Sequence, residues 1–504
     1  MTAEPVEPAM STHVEARRGV YYDSVTLMRV SRQLSARAEV SHALTAMATE
    51  LNRDLLTQMG FDPPQDVGPG DLLVAIRAVD QTVLADAREA LDVLLTDASS
   101  AKVSAQGLGT VPPARTIGSA AGRIDATLAL VSVPGPYAFM EAMDALTAGL
   151  SVMIFSDNMP VEEEVALKDA AARLDLLVMG PDCGTAVVGG AGLGFANAVR
   201  PGPVGLVAAS GTGSQQLMSL LDTAGVGISH ALGVGGRDLS ATVSGRSTLQ
   251  ALAALDADPA TELIIIVSKP PSQRVAGLIR EAVRRLSTPV LFALLEQDED
   301  DLTAVAERAL RALGRPVPAW PHWPAPVAQA PAPGFVRGLF AGGTLCEEAM
   351  LIATDALGPI GSNLRRTATG EPAWTHGQAS TGHCMIDFGA DEFTAGRAHP
   401  MIDPALRLER LAAEAADPSC AVLLLDVVLG YGAEPDPAAL LAPAIEDALA
   451  SRDGDLAVVV SLCGTAADPQ DRDAQAAALR DAGAAVFCSN ATAARHAAGL
   501  VQGP

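Results

Sequence analysis

Lysine is nearly missing from this 504-residue chain, which holds only Lys102, Lys168 and Lys269. With a formal net charge of −25, no basic patch is available to neutralise a phosphate backbone or an anionic membrane surface. Neither nucleic acid nor a membrane is an expected partner. Any anionic ligand must be held by local devices, such as helix N-termini or single arginines, against the overall field. Aromatic residues are scarce, at 3%, so cores must be built from Ala, Val and Leu. The six cysteines (Cys183, Cys346, Cys384, Cys420, Cys463, Cys488) form no CxxC pair. That excludes a structural zinc site and fits a reducing, cytoplasmic setting. The opening MTAEPVEPAM is acidic and contains proline, so it does not read as a signal peptide. Residues 201–221 carry no charge, but the SGTGSQQ within them would fill a membrane span with polar groups.

What is present is an ordered series of α/β patterns. Length alone predicts several domains. Residues 1–18 look disordered, and 19–105 predict a small α+β domain with strands at GVYYD and DLLVAIRA. Residues 106–200 turn to strict β-α-β alternation, as in ATLALVSVPG, PYAFMEAMDALTAG and SVMIFSDN. Short apolar runs separated by helical stretches predict a parallel, doubly wound sheet whose ligands sit at the carboxyl ends of strands. A further α/β unit covers 201–313. Seven prolines lie between Pro316 and Pro333, so 314–334 predict a polyproline-type linker. The last unit covers 335–504. It echoes the unit before the linker: GLVAASGTGSQQLMSLLDTAG returns as GLFAGGTLCEEAMLIATDALG. ALGVGGRDLS returns as MIDFGADEFT, and DADPATELIIIVSKPP as AADPSCAVLLLDVVLGYG. A duplicated module packing as a pseudo-symmetric pair places equivalent loops around one cleft.

In the first copy an apolar run stops at Ser210, Gly211, Thr212 and Gly213 and a helical pattern follows at once. The glycines permit the tight change of direction and a close backbone approach. Helix-start amides with Ser or Thr hydroxyls make a concave anion site. The same residues also suit a plain strand-to-helix turn with a hydroxyl cap, and no GxxxxGK[ST] is present. Lys269 ends an apolar strand where a ligand cation would sit, or is a surface lysine before a turn. Arg237 follows Gly235 and Gly236 and either clamps a carboxylate or pairs with Asp238. His376, His383 and His399 with Asp387, Asp391 and Asp403 have no metal-ligand spacing and read as a solvated loop. Cys183 and His230 read as packing residues.

Taken together, LALVSVPGPYAFMEAMDALTAGLSVMIFSDNMP, LLVMGPDCGTA, SGTGSQQL, LGVGGRDLS, RAHPMIDP and LLLDVVLGYGA resemble the FdrA family over about residues 19–498. That family is related to the succinyl-CoA synthetase α subunit, with a last unit similar to the carboxy-terminal domain of the β subunit. The resemblance implies a CoA-binding-like Rossmann domain followed by two flavodoxin-like domains. It also implies two helix starts aimed at one phosphate, matched here by Ser210, Gly211, Thr212 and Gly213 and, from the β-type half, by Gly430 and Gly432. Asn158, Asp182 and Gly184 would line the adjoining pocket, and Arg237 or Lys269 would orient a carboxylate or polarise a carbonyl. The synthetase's phosphohistidine loop is replaced by EQDEDDLTAVAERAL, which lacks histidine. No ATP-grasp domain is visible, and no CoA glycine loop appears between Ala101 and Arg123. The family implies a subunit of an oxamate carbamoyltransferase, exchanging oxalurate and phosphate for oxamate and carbamoyl phosphate in ureide breakdown. Two further, unrelated subunits are the implied partners, and no cofactor or metal is called for. The alternatives are an acyl-CoA synthetase or CoA-transferase-like subunit and a non-catalytic scaffold.

Overall fold

The structure is a computed structural model that describes residues 10–22, 24–64, 67–100, 114–365, 374–375, 377–394 and 397–502. Two compact units emerge: Met1–Arg115 with Thr394–Ala398, and Thr116–Phe393 with His399–Pro504.

The first unit alternates strand and helix: β1 (Ser11–Arg17), α1 (Ser24–Ser35), β2 (Val40–Met47), α2 (Glu50–Gln58), β3 (Leu72–Ala78) and α3 (Gln81–Ser100). The sheet is antiparallel in the order β1-β3-β2. Alternation along β3 sends Leu72, Val74 and Ile76 into a core with Leu27, Leu34 and Leu91. Ala75 meets Leu56 and Phe61 in a separate cluster, as the period of two requires. Two expectations fail here. Residues 11–17 form a strand rather than a disordered tail, and GVYYD is not one; residues 1–9 lie outside the described residues. A half-buried edge strand such as STHVEAR carries too few apolar residues to announce itself.

The second unit opens with α4 (Ile117–Ala121), β4 (Leu128–Val131), α5 (Gly135–Thr147), β5 (Ser151–Ile154), α6 (Val161–Leu174) and β6 (Val178–Met179). These build a parallel three-stranded sheet, β4-β5-β6. The hairpin β7 (Thr185–Val188) and β8 (Ala191–Gly194) leaves that layer and joins the next sheet through β7. The first duplicated half follows: β9 (Pro201–Ala208), α7 (Gly211–Thr223), β10 (Ile228–Gly233), α8 (Arg246–Ala257), β11 (Leu263–Ser268), α9 (Gln273–Val283), β12 (Val290–Leu294) and α10 (Leu302–Ala312). After β13 (His322–Trp323), the second half runs β14 (Phe335–Phe340), α11 (Gly343–Leu357), β15 (Cys384–Asp387), α12 (Asp391–Thr394), α13 (Ala405–Ala416) and β16 (Cys420–Val428). It closes with α14 (Pro437–Ala450), β17 (Ala457–Cys463), α15 (Arg472–Asp481), β18 (Ala485–Phe487) and α16 (Asn490–Gln502).

The sheet orders are β12-β11-β9-β10-β7-β8 and β13-β18-β17-β16-β14-β15. Within each half the second strand lies beside the first, and the third lies on the first strand's other side. Both halves therefore share the doubly wound plan, with a switch point at the carboxyl ends of their first and third strands. β11 and β16 are buried throughout, as strands covered on both faces must be. The proline-rich segment is not a free linker. β13 pairs with β18, and Gln329 donates to the Val458 and Gly483 carbonyls.

Helices α7 and α11 carry the seam between the halves, and α7 is buried from Gly213 to Asp222. The seam's polar groups pair across it. Gln216 donates to the Cys488 carbonyl, Thr303 meets Ser489, and Glu348 accepts from the Leu302 amide and from Asn490.

Candidate functional site

Ser210 is the N-cap of α7, its hydroxyl accepting from the Gly213 amide at 3.1 Å. Its Oγ also lies 2.5 Å from Thr344 Oγ1, in the first turn of α11. The two helix starts are interlocked. A Cβ on Gly213 would come within 2.8 Å of the Thr344 methyl, and one on Gly342 within 2.9 Å of Thr212. Glycine is needed because the partner helix occupies the space a side chain would fill. The first-turn amides of a helix have no intrahelical acceptors, so two positive helix ends share one crevice.

That crevice has a cation. Lys269 stands at the carboxyl end of β11, half-exposed, with Nζ 3.1 Å from Glu347 of α11. Lys269 therefore does stand at the carboxyl edge of its strand, beside the β9 end that carries Ser210. Gly184 precedes Thr185, whose Oγ1 would lie 3.6 Å from a Cβ on Gly211. The loop after β6 thus reaches the start of α7.

Gly430 and Gly432 do not open a helix, contrary to the expectation from the resemblance. α14 begins at Pro437 with Asp436 as its cap, and the helix start that meets Ser210 is α11. Gly430 (φ 134°) instead packs against the Phe195 and Ala196 carbonyls, and Gly432 lies against Gly194 and the Phe195 ring. Gln215 of α7 bridges the Phe195 and Leu429 carbonyls, so this turn flanks the crevice without heading it. The repeat had carried the right signal: SGTGSQQ aligns with GGTLCEE, which sets Gln215 against Glu347.

Arg237 is not a free carboxylate clamp. Its Nη2 donates to the Met159 carbonyl and sits 3.0 Å from Glu164. Asp238 pairs with Lys168 rather than with Arg237, and Lys168, fully buried, also binds Glu164 and the Val234 carbonyl. Asn158 and Asp182 lie at the ends of β5 and β6 in left-handed conformations, φ 55° and 60°. Asp182 remains open to solvent, yet protein surrounds it on most sides. That desolvation, with Asp157 and Asp391 nearby, pushes its carboxyl up to about 7.

Two residues read from sequence as a solvated loop belong to the crevice. Asp387 ends β15 and is 5% exposed; burial raises its carboxyl to about 7. Its Oδ1 accepts from the Gly389 amide at 2.8 Å. Oδ2 would lie 2.5 Å from a Cβ on Gly343, at the first residue of α11. His399 Nε2 lies beside the same glycine, 2.8 Å from where a Cβ on Gly389 would stand, its imidazole pushed down to about 4 by burial. Its ring packs beside Phe195 at 6.0 Å. His383 accepts from the Val336 amide at the far end of the strand, and His376 lies outside the described residues. Cys183 is inert as expected, burial pushing its thiol up to about 12. His230 is not a core residue. It is partly exposed and accepts from the Gly189 amide.

Beneath the crevice Asp426 accepts from the Ala341 and Gly342 amides and is held by Arg407. The turn into α11 is thus fixed by a buried carboxylate, where Ser210 serves α7.

Residues 339–500 match the family described as CoA-ligase, and residues 10–110 match "AllF, heavy metal-associated domain". YahF of Escherichia coli (strain K12), described as an uncharacterized protein, is 37% identical over 95% of this chain and 97% of its own length. The α subunit 2 of a succinate–CoA ligase from Archaeoglobus fulgidus is 28% identical over 36% of this chain and 63% of its own length. The malate–CoA ligase α subunit of Methylorubrum extorquens is likewise 28% identical, over 36% of this chain and 62% of its own length. A dinucleotide-forming acetyl-coenzyme A synthetase from Ca. Korarchaeum cryptofilum aligns at 15% identity and TM-score 0.29, covering 79% of this chain and 89% of that one.

Neither group these names imply fits the described residues. Heavy-metal domains hold soft ions through thiolates, and residues 10–110 contain no cysteine. Coenzyme A would bring phosphates to the ends of β4, β5 and β6, where Asp157 and Asp182 stand. The start of α5 is closed, since a Cβ on Gly135 would lie 2.0 Å from the Asp157 carbonyl. Among the described residues no helix is long and apolar enough to cross a membrane. The chain belongs to the FdrA family, an α/β, succinyl-CoA-synthetase-like protein with a small α+β domain at its amino end.

Proposed function

We infer that this chain is a group-transfer subunit that binds phosphate, or the phosphate end of an acyl phosphate, at the facing starts of α7 and α11. One observation carries the reading. Ser210 and Thr344 touch at 2.5 Å, so helix starts from both duplicated halves meet beside the strand end that carries Lys269. Attack of phosphate on an activated carbonyl needs positioning and charge neutralisation more than a protein nucleophile. The lack of histidine in residues 296–310 supports transfer without a phosphohistidine.

The finer reading takes the acyl group as carbamoyl and the substrate as a ureide of the oxalurate type. A phosphate oxygen adds to the carbamoyl carbon, the bond from that carbon to the oxamate nitrogen breaks, and the nitrogen takes a proton. Carbamoyl phosphate and oxamate leave. Ser210, Gly211, Thr212, Gly213 and the first turn of α11 would hold the phosphate, and Lys269 would face the carbonyl. The carboxylates at the ends of β5 and β6 support a ligand without coenzyme A's phosphates. The second reading, an acyl-CoA ligase subunit whose nucleotide site lies on a partner, is favoured by the CoA-ligase match and the ligase relatives.

The test is calorimetry on the chain purified with the products of neighbouring genes, titrated with carbamoyl phosphate and with coenzyme A. An assay of phosphate-dependent oxalurate cleavage accompanies it. Binding of carbamoyl phosphate without coenzyme A, together with turnover, is the expected result. Tight coenzyme A binding without carbamoyl phosphate establishes the second reading, and silence toward both leaves a scaffold.

A further inference from the structure

The two helix starts are not equivalent. The α7 end is capped by a neutral hydroxyl. The α11 end is met by the protein's own carboxylates: Asp426 takes the Ala341 and Gly342 amides, and Asp387 Oδ2 lies against Gly343. The Asp426 carboxylate is committed to two amides and to Arg407. The Asp387 carboxylate is held on one side only. Its Oδ1 accepts from the Gly389 amide, while Oδ2 makes no hydrogen bond among the described residues and points at the α11 start. The backbone that carries it is fixed. Its backbone amide donates to Asn363 and its carbonyl accepts from Asn363, at 2.9 Å each.

We propose that Asp387 is the proton-carrying partner of the anion site, so that an oxyanion seated between the starts of α7 and α11 binds with uptake of one proton by Asp387. The proposal rests on the anion-site reading above and adds a coupling to it. Two anions cannot sit this close, beside a carboxyl that burial has stripped of water, without strong repulsion. Taking a proton from water converts the Asp387 carboxylate into a donor that can bond an oxygen of the ligand. The charged neighbours set the balance. Burial dominates and keeps the proton on, Asp426 from β16 and Glu347 from α11 act the same way, and the Gly389 amide and Lys269 from β11 oppose them. Cys346, also on α11, has its thiol pushed well up by burial, and His399, with its imidazole down to about 4, is neutral in this range. With the carboxyl near 7, the proton is available at neutral pH and is lost above it.

Sulfate is the probe, because it does not itself titrate between pH 6 and 8.5. Calorimetry on the full chain, in buffers of differing ionisation enthalpy, should find close to one proton taken up per sulfate at pH 8.5 and almost none at pH 6. The dissociation constant should rise about thirtyfold between those values. In Asp387→Asn, which keeps the shape and supplies a permanent donor, it should stay within about threefold. The buffer series on the unaltered chain stands even if that variant folds poorly. Sulfate binding with no proton uptake overturns the coupling and leaves the anion site intact. No sulfate binding at either pH overturns the anion site, and the coupling with it.

Discussion

Glu348 offers a test of the duplicated architecture that needs no ligand. It lies on α11, 1% exposed, where the halves meet. Its Oε1 accepts from the Leu302 amide at the start of α10, and its Oε2 from Asn490 at the start of α16, at 2.7 Å each. Burial and the nearby Asp301 carboxylate raise its carboxyl from 4.5 to about 7. The sign follows from where each state loses its proton. The unfolded chain releases the proton near 4.5 and the folded chain not until about 7, so stability falls as pH rises between them. At about 1.36 kcal/mol per pH unit, the loss across that window is about 3 kcal/mol, an order of magnitude for one group. Glu348→Gln removes the titration. A turn of the Asn490 amide, whose Oδ1 is buried without a partner, would give the new N–H an acceptor at the cost of the bond from Asn490 Nδ2 to the Leu345 carbonyl. Denaturant unfolding of parent and variant at pH 5, 6, 7 and 8 reads the difference directly. The variant should match or trail the parent at pH 5 and gain on it steadily, exceeding it by about 2–3 kcal/mol at pH 8. A gap that stays constant over the series would mean that Glu348 is not buried at a closed seam, and the pairing of the halves would be wrong.

Three further outcomes follow from the same geometry. Gly213→Ala should lower stability by about 1–3 kcal/mol through overpacking, since its methyl would meet Ser210 Oγ at 2.6 Å and Thr344 at 2.8 Å. Gly211→Ala, whose nearest neighbour would be Thr185 Oγ1 at 3.6 Å, should stay within about 0.5 kcal/mol; thermal unfolding compares the pair. Lys269→Ala takes a half-exposed cation from Glu347, whose Oε2 is buried without a hydrogen-bond partner, so stability should fall by about 1–2 kcal/mol. Calorimetry should also find phosphate bound about tenfold more weakly, through loss of a charged donor. Arg237→Ala strips a partner from the buried Glu164 and should destabilise the fold by about 1–2 kcal/mol. Phosphate affinity should be unchanged; a variant that folds as well as the parent but loses the anion would restore Arg237 as a ligand clamp.

Much of the fold was legible because its signals are periodic. Apolar runs such as ELIIIVS and LLLDVV announce strands buried on both faces, and the echo of SGTGSQQ in GGTLCEE announces the pair of helices at the seam. β1 and β2 were not legible, since STHVEAR and VSHALTAM alternate around polar residues and need β3 between them to become strands. The site was readable to the extent that backbone shape defines it. Ser210 to Gly213 declare a turn, and Lys269 a strand end. Asp387 and His399 carry no spacing signature, because they lie twelve residues apart and only their approach to Gly389 in space brings them together. Arg237 misled for a related reason. Its neighbour in sequence, Asp238, turns inward to the buried Lys168, and its partner in space, Glu164, lies 73 residues earlier in the numbering.

The divergence of the two halves accounts for where the chemistry lies. Each half supplies a first strand, a turn and a helix to the seam, and matching positions have taken different roles. Gln215 in the first half reaches the neutral Leu429 carbonyl, whereas Glu347 at the matching position reaches Lys269. Ser210 presents a hydroxyl where the second half has Gly342, whose amide is already bound by Asp426. A symmetric pair of helix starts would bind an anion equally from either side and could not tell its two ends apart. With a hydroxyl-capped start on α7, a carboxyl on the α11 side and one lysine beside them, a bound oxyanion would meet donors on one side and a titratable acid on the other. That polarity would orient an acyl phosphate under the proposed function, and it follows from the inequality of the halves rather than from either turn alone.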